Sequence, residues 1–145
     1  MKTHTGHLKE RYGTPIVMVN LIDQKGHEGV MYRAFSMHMK QLNDPNIIDV
    51  HWDFHAHCKK LQWHNVSLLL DQLESSLGEI GWFEVGQGLN NTNDSNNNIF
   101  SIKREQHGIT RTNCMDCLDR TNVVQSLIAR NVLVKVLQSW YRQSM

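Results

Sequence analysis

Cysteine is scarce in this chain of 145 residues. Cys58, Cys114 and Cys117 make an odd count with no disulfide framework, which excludes a small disulfide-stapled secreted scaffold and suits a reducing cytosol. Charge of one sign is lacking as well. Fifteen basic against 14 acidic residues leave +1, so no global field draws the chain to nucleic acid or to an anionic membrane, and any attraction to lipid must be local. Long apolar runs are absent: the longest, Ile16 to Val19 and Leu68 to Leu70, fall far short of the roughly 20 residues of a membrane span. The opening residues, Met1 to His7, are polar and exclude a signal peptide there. The expectation is one domain with no transmembrane segment, soluble or attached to a membrane peripherally.

With 40% hydrophobic residues the chain has material for a core, and its patterning alternates between strand and helix. A short helix is predicted over Thr5 to Tyr12, ending at Gly13. A strand follows over Ile16 to Ile22, and Asp23 to Gly26 reads as a turn. Met31, Phe35, His38 and Leu42 keep helical spacing, so a helix is expected from Glu28 to Gln41, stopped by Asn43-Asp44-Pro45. Ile47 to Phe54 reads as a second strand. Val66, Leu69, Leu70, Leu73 and Leu77 form an apolar stripe with Gly78 as its C-terminal cap, and Ile80 to Val85 as a strand after it. Residues 90–98, rich in asparagine, read as a solvated loop. The fold class expected is α/β, a layered sheet with flanking helices.

One stretch carries chemistry. Gln106 to Thr112 reads as a short strand, Val124, Leu127, Ile128, Val132 and Val136 recur at helical spacing, and between them Cys114 precedes Arg120 with five residues intervening. A thiol attacks as thiolate, and a helix start and a guanidinium both favour that form. Five residues let the loop curl so that the amides of Met115, Asp116, Cys117, Leu118 and Asp119 turn inward on one anion, with Arg120 closing the ring. Thr121 or Asn122 is expected to satisfy free amides at the helix start. The implied reaction is phosphate-monoester hydrolysis through a phosphocysteine, on a cysteine-phosphatase-like strand, phosphate loop and helix.

Asp116 and Asp119 lie where a phosphate must bind. A loop aspartate that keeps its proton can protonate the leaving alkoxide and then deprotonate the hydrolytic water. Asp119, next to Arg120, is the first choice and Asp116 the second; either could instead pair with arginine or cap amides.

Metal chemistry competes for the same residues. His51, His55, His57 and Cys58 cluster, and Cys114 and Cys117 form a CxxC, but a structural zinc needs four ligands in recognisable pairs and this CxxC runs straight into Asp119-Arg120. No metal or cofactor is therefore assigned. A thioredoxin-like role does not fit the surrounding pattern, although a reversible Cys114–Cys117 disulfide would protect the nucleophile from overoxidation. Asp53 and His55, at the end of an expected strand, are candidates for supporting the loop, or else a satisfied pair within the sheet. Trp52 and Trp63 read as core. Lys59, Lys60, Arg104 and Arg111 read as a solvated face, with contact to the phosphates of a ligand as the alternative.

The run Arg111 to Asn122 (RTNCMDCLDRTN) resembles, almost letter for letter, the signature of the Sac-domain phosphoinositide phosphatases. Tyr12-Gly13 with Val19 to Gly26, and His51 to Cys58, fit the same family. The loop is also similar to that of the myotubularin lipid phosphatases, in which the aspartate before the arginine is held to be the general acid, an analogy that favours Asp119. The resemblance implies a phosphoinositide headgroup as ligand, phosphatidylinositol 4-phosphate or 3-phosphate as substrate, and work at the cytoplasmic face of endoplasmic-reticulum and Golgi membranes. It implies that residues 1–145 form part of a Sac catalytic domain, without the family's N-terminal lobe and membrane anchor. One position departs: His57 stands where glutamate is expected. The alternative expectation is a catalytically silent piece that binds phosphoinositide headgroups.

Overall fold

The computed structural model describes residues 1–58, 63–87 and 100–143. Its centre is a three-stranded parallel sheet in the order β2-β1-β5, formed by β1 (Ile16–Asn20), β2 (Ile47–His51) and β5 (Ile109–Asn113). Ile16 pairs with both Ile47 and Ile109, and Asn20 with both His51 and Asn113, so all three strands end level. The middle strand is buried at every residue, which requires cover on both faces.

The two covers come from different helices. Val17, Val19 and Leu21 on one face pack into a core with Leu69, Leu73, Leu77 and Ile80 of α4 (Ser67–Ile80) and Val124 of α5 (Asp119–Gln143). Leu69 and Leu73 are fully buried, each contributing about 2 kcal/mol by removal from water. On the other face lie Met18, Asn20 and His51, and Tyr32 of α2 (Gly29–Leu42) meets the His51 ring at 4.2 Å. The result is a helix–sheet–helix sandwich, as expected from the alternating pattern. A separate hairpin pairs β3 (Glu84–Gln87) antiparallel to β4 (Phe100–Arg104).

Helix ends follow local chemistry. The first helix, α1 (Lys2–Tyr12), stops at Gly13, whose φ of 75° lets its N–H reach the Lys9 carbonyl at 2.8 Å. Asn43, in the left-handed region at φ 43°, ends α2, in line with the expected Asn43-Asp44-Pro45 stop. Other boundaries are corrected. α1 begins three residues before Thr5, whose hydroxyl donates back to the carbonyls of Met1 and Lys2. Gly78 does not cap α4: Ile80 continues the stripe of Leu73 and Leu77 into the core, and Gly81 at φ 66° takes the cap. The strand expected from Ile80 therefore begins only at Glu84. β2 ends at His51 because Asp53 accepts the Ala56 N–H at 2.9 Å and starts a short helix, α3 (Phe54–His57). The loop expected at 90–98 lies outside the described residues.

Candidate active site

Because the three parallel strands end level, the segments leaving them share one edge. They are Leu21 to Glu28 after β1, Trp52 and Asp53 after β2, and Cys114 to Leu118 after β5. Ligands of open parallel sheets bind at such C-terminal edges. β5 continues through the loop directly into α5, so the expected order of strand, loop and helix is present.

Side-chain alternation sets the direction of Cys114. Thr112 lies on the α5 face, its hydroxyl accepting from Gln125 at 3.0 Å, and two residues on Cys114 packs against the same core. Its Sγ lies 3.8 Å from Asp116 Oδ1, a long S–H donation. Asp116 Oδ1 also accepts the Leu118 N–H at 3.1 Å, so this carboxylate ties the loop internally and already occupies one of its amides. Cys117 has a φ of 55°, a costly conformation for a residue with a side chain, and its Sγ lies 3.8 Å from the Cys114 carbonyl. Met115 and Leu118 turn outward and are exposed. Asp119 opens the first turn of α5 and is exposed.

Arg120 is anchored by residues that follow β1. Its Nη1 donates to the Leu21 carbonyl at 3.2 Å and to Glu28 Oε2 at 3.0 Å, and its Nη2 donates to Glu28 Oε1 at 2.8 Å. Asp23 Oδ1 lies 3.5 Å from Nη1, and the Asp23 N–H donates to Glu28 Oε2 at 2.9 Å. The hydrogen bonds to Glu28 push the Arg120 pKa up, outweighing desolvation. Electrostatic attraction to Cys114, Glu28 and Asp23 adds to the rise. Cys114 and Arg120 are thus within electrostatic reach of each other. Glu28 and the Leu21 carbonyl were not singled out from the sequence; the only signal was an acid just past the Asp23 to Gly26 turn.

The other candidates divide. Asp53 is at the same sheet edge but beyond the middle strand, engaged as the cap of α3. His55 sits on α3, and its side chain lies outside the described ones, as does that of Trp63; Lys59 and Lys60 are outside the described residues. His57, in the place of the expected glutamate, stacks on Trp52 at 4.0 Å and 14°. Trp52 is core, as expected. His51 is half-buried and bonds to Asn20 Nδ2 at 3.4 Å; desolvation lowers its pKa against the opposing charges of Asp49 and Asp53. Cys58 packs on the core, which pushes its thiol up. Arg104 stacks on Trp82 at 3.9 Å, and Arg111 bonds to Asn113. Thr121 does not cap the helix. α5 begins at Asp119, which puts Thr121 inside the first turn, buried, with no hydrogen-bond partner for its hydroxyl among the described residues.

Residues 1–59 match the family model described as the SacI homology domain. The phosphatidylinositol-3-phosphatase SAC1 of Saccharomyces cerevisiae is 46% identical over 144 residues, covering 95% of this chain and 21% of that protein. Its Drosophila melanogaster namesake is 36% identical over 135 residues, covering 91% and 21%. The phosphatidylinositide phosphatase SAC2 of Danio rerio is 37% identical over 123 residues, covering 85% and 10%. The chain belongs to the Sac-domain family, as a partial Sac domain. It spans about a fifth or less of the length of these curated relatives. Among the described residues no helix is long and apolar enough to cross a membrane.

Proposed function

We propose that this chain carries the reacting loop of a phosphoinositide phosphatase that hydrolyses phosphatidylinositol monophosphates through a phosphocysteine. The single observation that carries this is Arg120, held protonated at the end of a loop that begins with Cys114, at the C-terminal edge of a parallel sheet. The relatives, a phosphatidylinositol-3-phosphatase and a phosphatidylinositide phosphatase, supply the lipid class.

Chemically, the Cys114 thiolate attacks phosphorus while the free loop amides and Arg120 bind the phosphoryl oxygens. The N-terminus of the 25-residue α5 adds partial positive charge. The inositol oxygen leaves as the S–P bond forms, and Asp119 protonates it. Water, deprotonated by Asp119, then attacks phosphorus and releases the thiolate and inorganic phosphate. Asp119 is favoured over Asp116 because Asp116 already holds the Leu118 amide and the Cys114 thiol. The same reading makes 1–145 part of a Sac catalytic domain that meets lipid at the cytoplasmic face of endoplasmic-reticulum or Golgi membranes. Guanidinium and amides supply the positive field for these steps.

Turnover of short-chain phosphatidylinositol 3-, 4- and 5-phosphates, with Cys114→Ser as control, is the test. Release of phosphate from the 3- or 4-phosphate, lost in Cys114→Ser, is expected. Binding of headgroups without turnover would instead favour a silent piece of the domain, the reading that His57 motivates.

A further inference from the structure

Among the described residues, Arg120 is held at the tip of its guanidinium and along the Nη1 side, where Asp23 Oδ1 also lies 3.5 Å away. Glu28 takes the pair of N–H bonds at the tip of the guanidinium, Nη1 and Nη2, and the Leu21 carbonyl takes the remaining Nη1 hydrogen. A guanidinium carries five N–H donors in a fixed plane. These three bonds leave the Nε–H and the second Nη2–H, which point the same way along one edge. Among the described residues neither has a further hydrogen-bond partner. Two parallel donors at that spacing match two oxygens of a tetrahedral oxyanion.

Glu28 is itself fixed. Its Oε2 accepts the Asp23 N–H, and it stands in the 3-10 turn of Gly26–Glu28 that leads into α2. Both partners are largely shielded, the Arg120 and Glu28 side chains being 13% and 18% exposed, so the pair is not a loose surface contact. Glu28 takes the Nη1/Nη2 tip of the guanidinium and so leaves the adjoining Nε/Nη2 edge open. We propose that Glu28 is a positioning residue, whose carboxylate fixes the Arg120 guanidinium so that its Nε/Nη2 edge stays presented to an oxyanion bound at the Cys114 loop. The inference rests on the reading of that loop as a phosphate site. Part of the cation's charge is neutralised, and a pre-set orientation is gained in return, which removes the need to order a long side chain when the ligand binds.

The test uses the full chain and tungstate, a phosphate-like oxyanion, titrated by calorimetry, together with kcat and KM on short-chain phosphatidylinositol 4-phosphate. Glu28→Ala is expected to weaken tungstate about 10²-fold and to lower kcat more than it raises KM. Glu28→Gln, which keeps the shape and one accepting oxygen, should fall between Ala and wild type. In an Arg120→Ala background, Glu28→Gln should change tungstate affinity no further. Should Glu28→Ala fail to fold by circular dichroism, Glu28→Gln decides. Unchanged tungstate binding in Glu28→Gln overturns the proposal, and tighter binding shows the carboxylate to be a competitor instead. If wild type binds tungstate without turnover, the hydrolytic reading fails while positioning is still decided by the titration. If wild type binds no tungstate, both fall.

Discussion

The backbone of Leu21 bridges the two ends of the Cys114–Arg120 segment: its N–H donates to the Asn113 carbonyl at 2.8 Å, and its own carbonyl accepts from Arg120 at 3.2 Å. One peptide-bonded residue, fully buried, therefore sets the width of the loop's base. Leu21→Ala removes a core side chain and should cost about 2–5 kcal/mol in urea denaturation. Leu73→Ala, buried equally but in α4, should cost a similar amount. Alanine keeps both backbone groups but loosens the packing that fixes them, so only Leu21→Ala should also weaken tungstate binding; equal oxyanion affinity in the two variants would show that the side chain does not hold the bridge in place.

The two loop aspartates should separate kinetically. Asp119→Asn removes the acid and is expected to lower kcat by about 10²- to 10⁴-fold with the loop intact. Asp116→Asn keeps an oxygen able to accept the Leu118 N–H, and should cost less in kcat. A larger loss in Asp116→Asn, measured side by side, would exchange their roles.

His51 gives a pH signature. Desolvation holds its folded-state pKa below the ordinary 6.5, so the unfolded chain binds this proton more readily. The contribution to stability is present above 6.5 and is lost as pH falls through that value toward the lowered one. Denaturation midpoints taken downward from neutral pH should fall, and His51→Gln should flatten that slope. An unaltered slope in the variant would remove His51 as its source.

Gly108 is where β5 leaves its turn. It has φ 85°, and a methyl group added there would sit 2.0 Å from the Pro15 carbonyl oxygen, the same oxygen that accepts the Ile109 N–H at 3.0 Å. Gly108→Ala combines backbone strain with overpacking, about 1–3 kcal/mol each. A thermal melt should show a large loss; a change within experimental error would mean that β1 and β5 yield easily.

The layered fold was legible in the sequence because each buried stripe is local: Val17, Val19 and Leu21 alternate, and Leu69, Leu73 and Leu77 recur at helical spacing. Boundaries were less so. Gly78 and Gly81 are equivalent as letters, and only the need to bury Ile80 selects the second as the cap. The hairpin partner Phe100–Arg104 was not foreseen, since its exposed alternation follows a long polar stretch and its pairing is not local. In the site, the spacing of Cys114 and Arg120 could be read directly. Glu28 could not, because 92 residues separate it from Arg120 and only the parallel pairing of β1 with β5 brings their segments together.

The most direct measurement is a rapid acid quench of the chain reacting with radiolabelled short-chain phosphatidylinositol 4-phosphate, followed by peptide mapping. Label is expected on the peptide containing Cys114, to be absent in Cys114→Ser and to decay more slowly in Asp119→Asn. Steady phosphate release with no labelled peptide, and undiminished in Cys114→Ser, would contradict it.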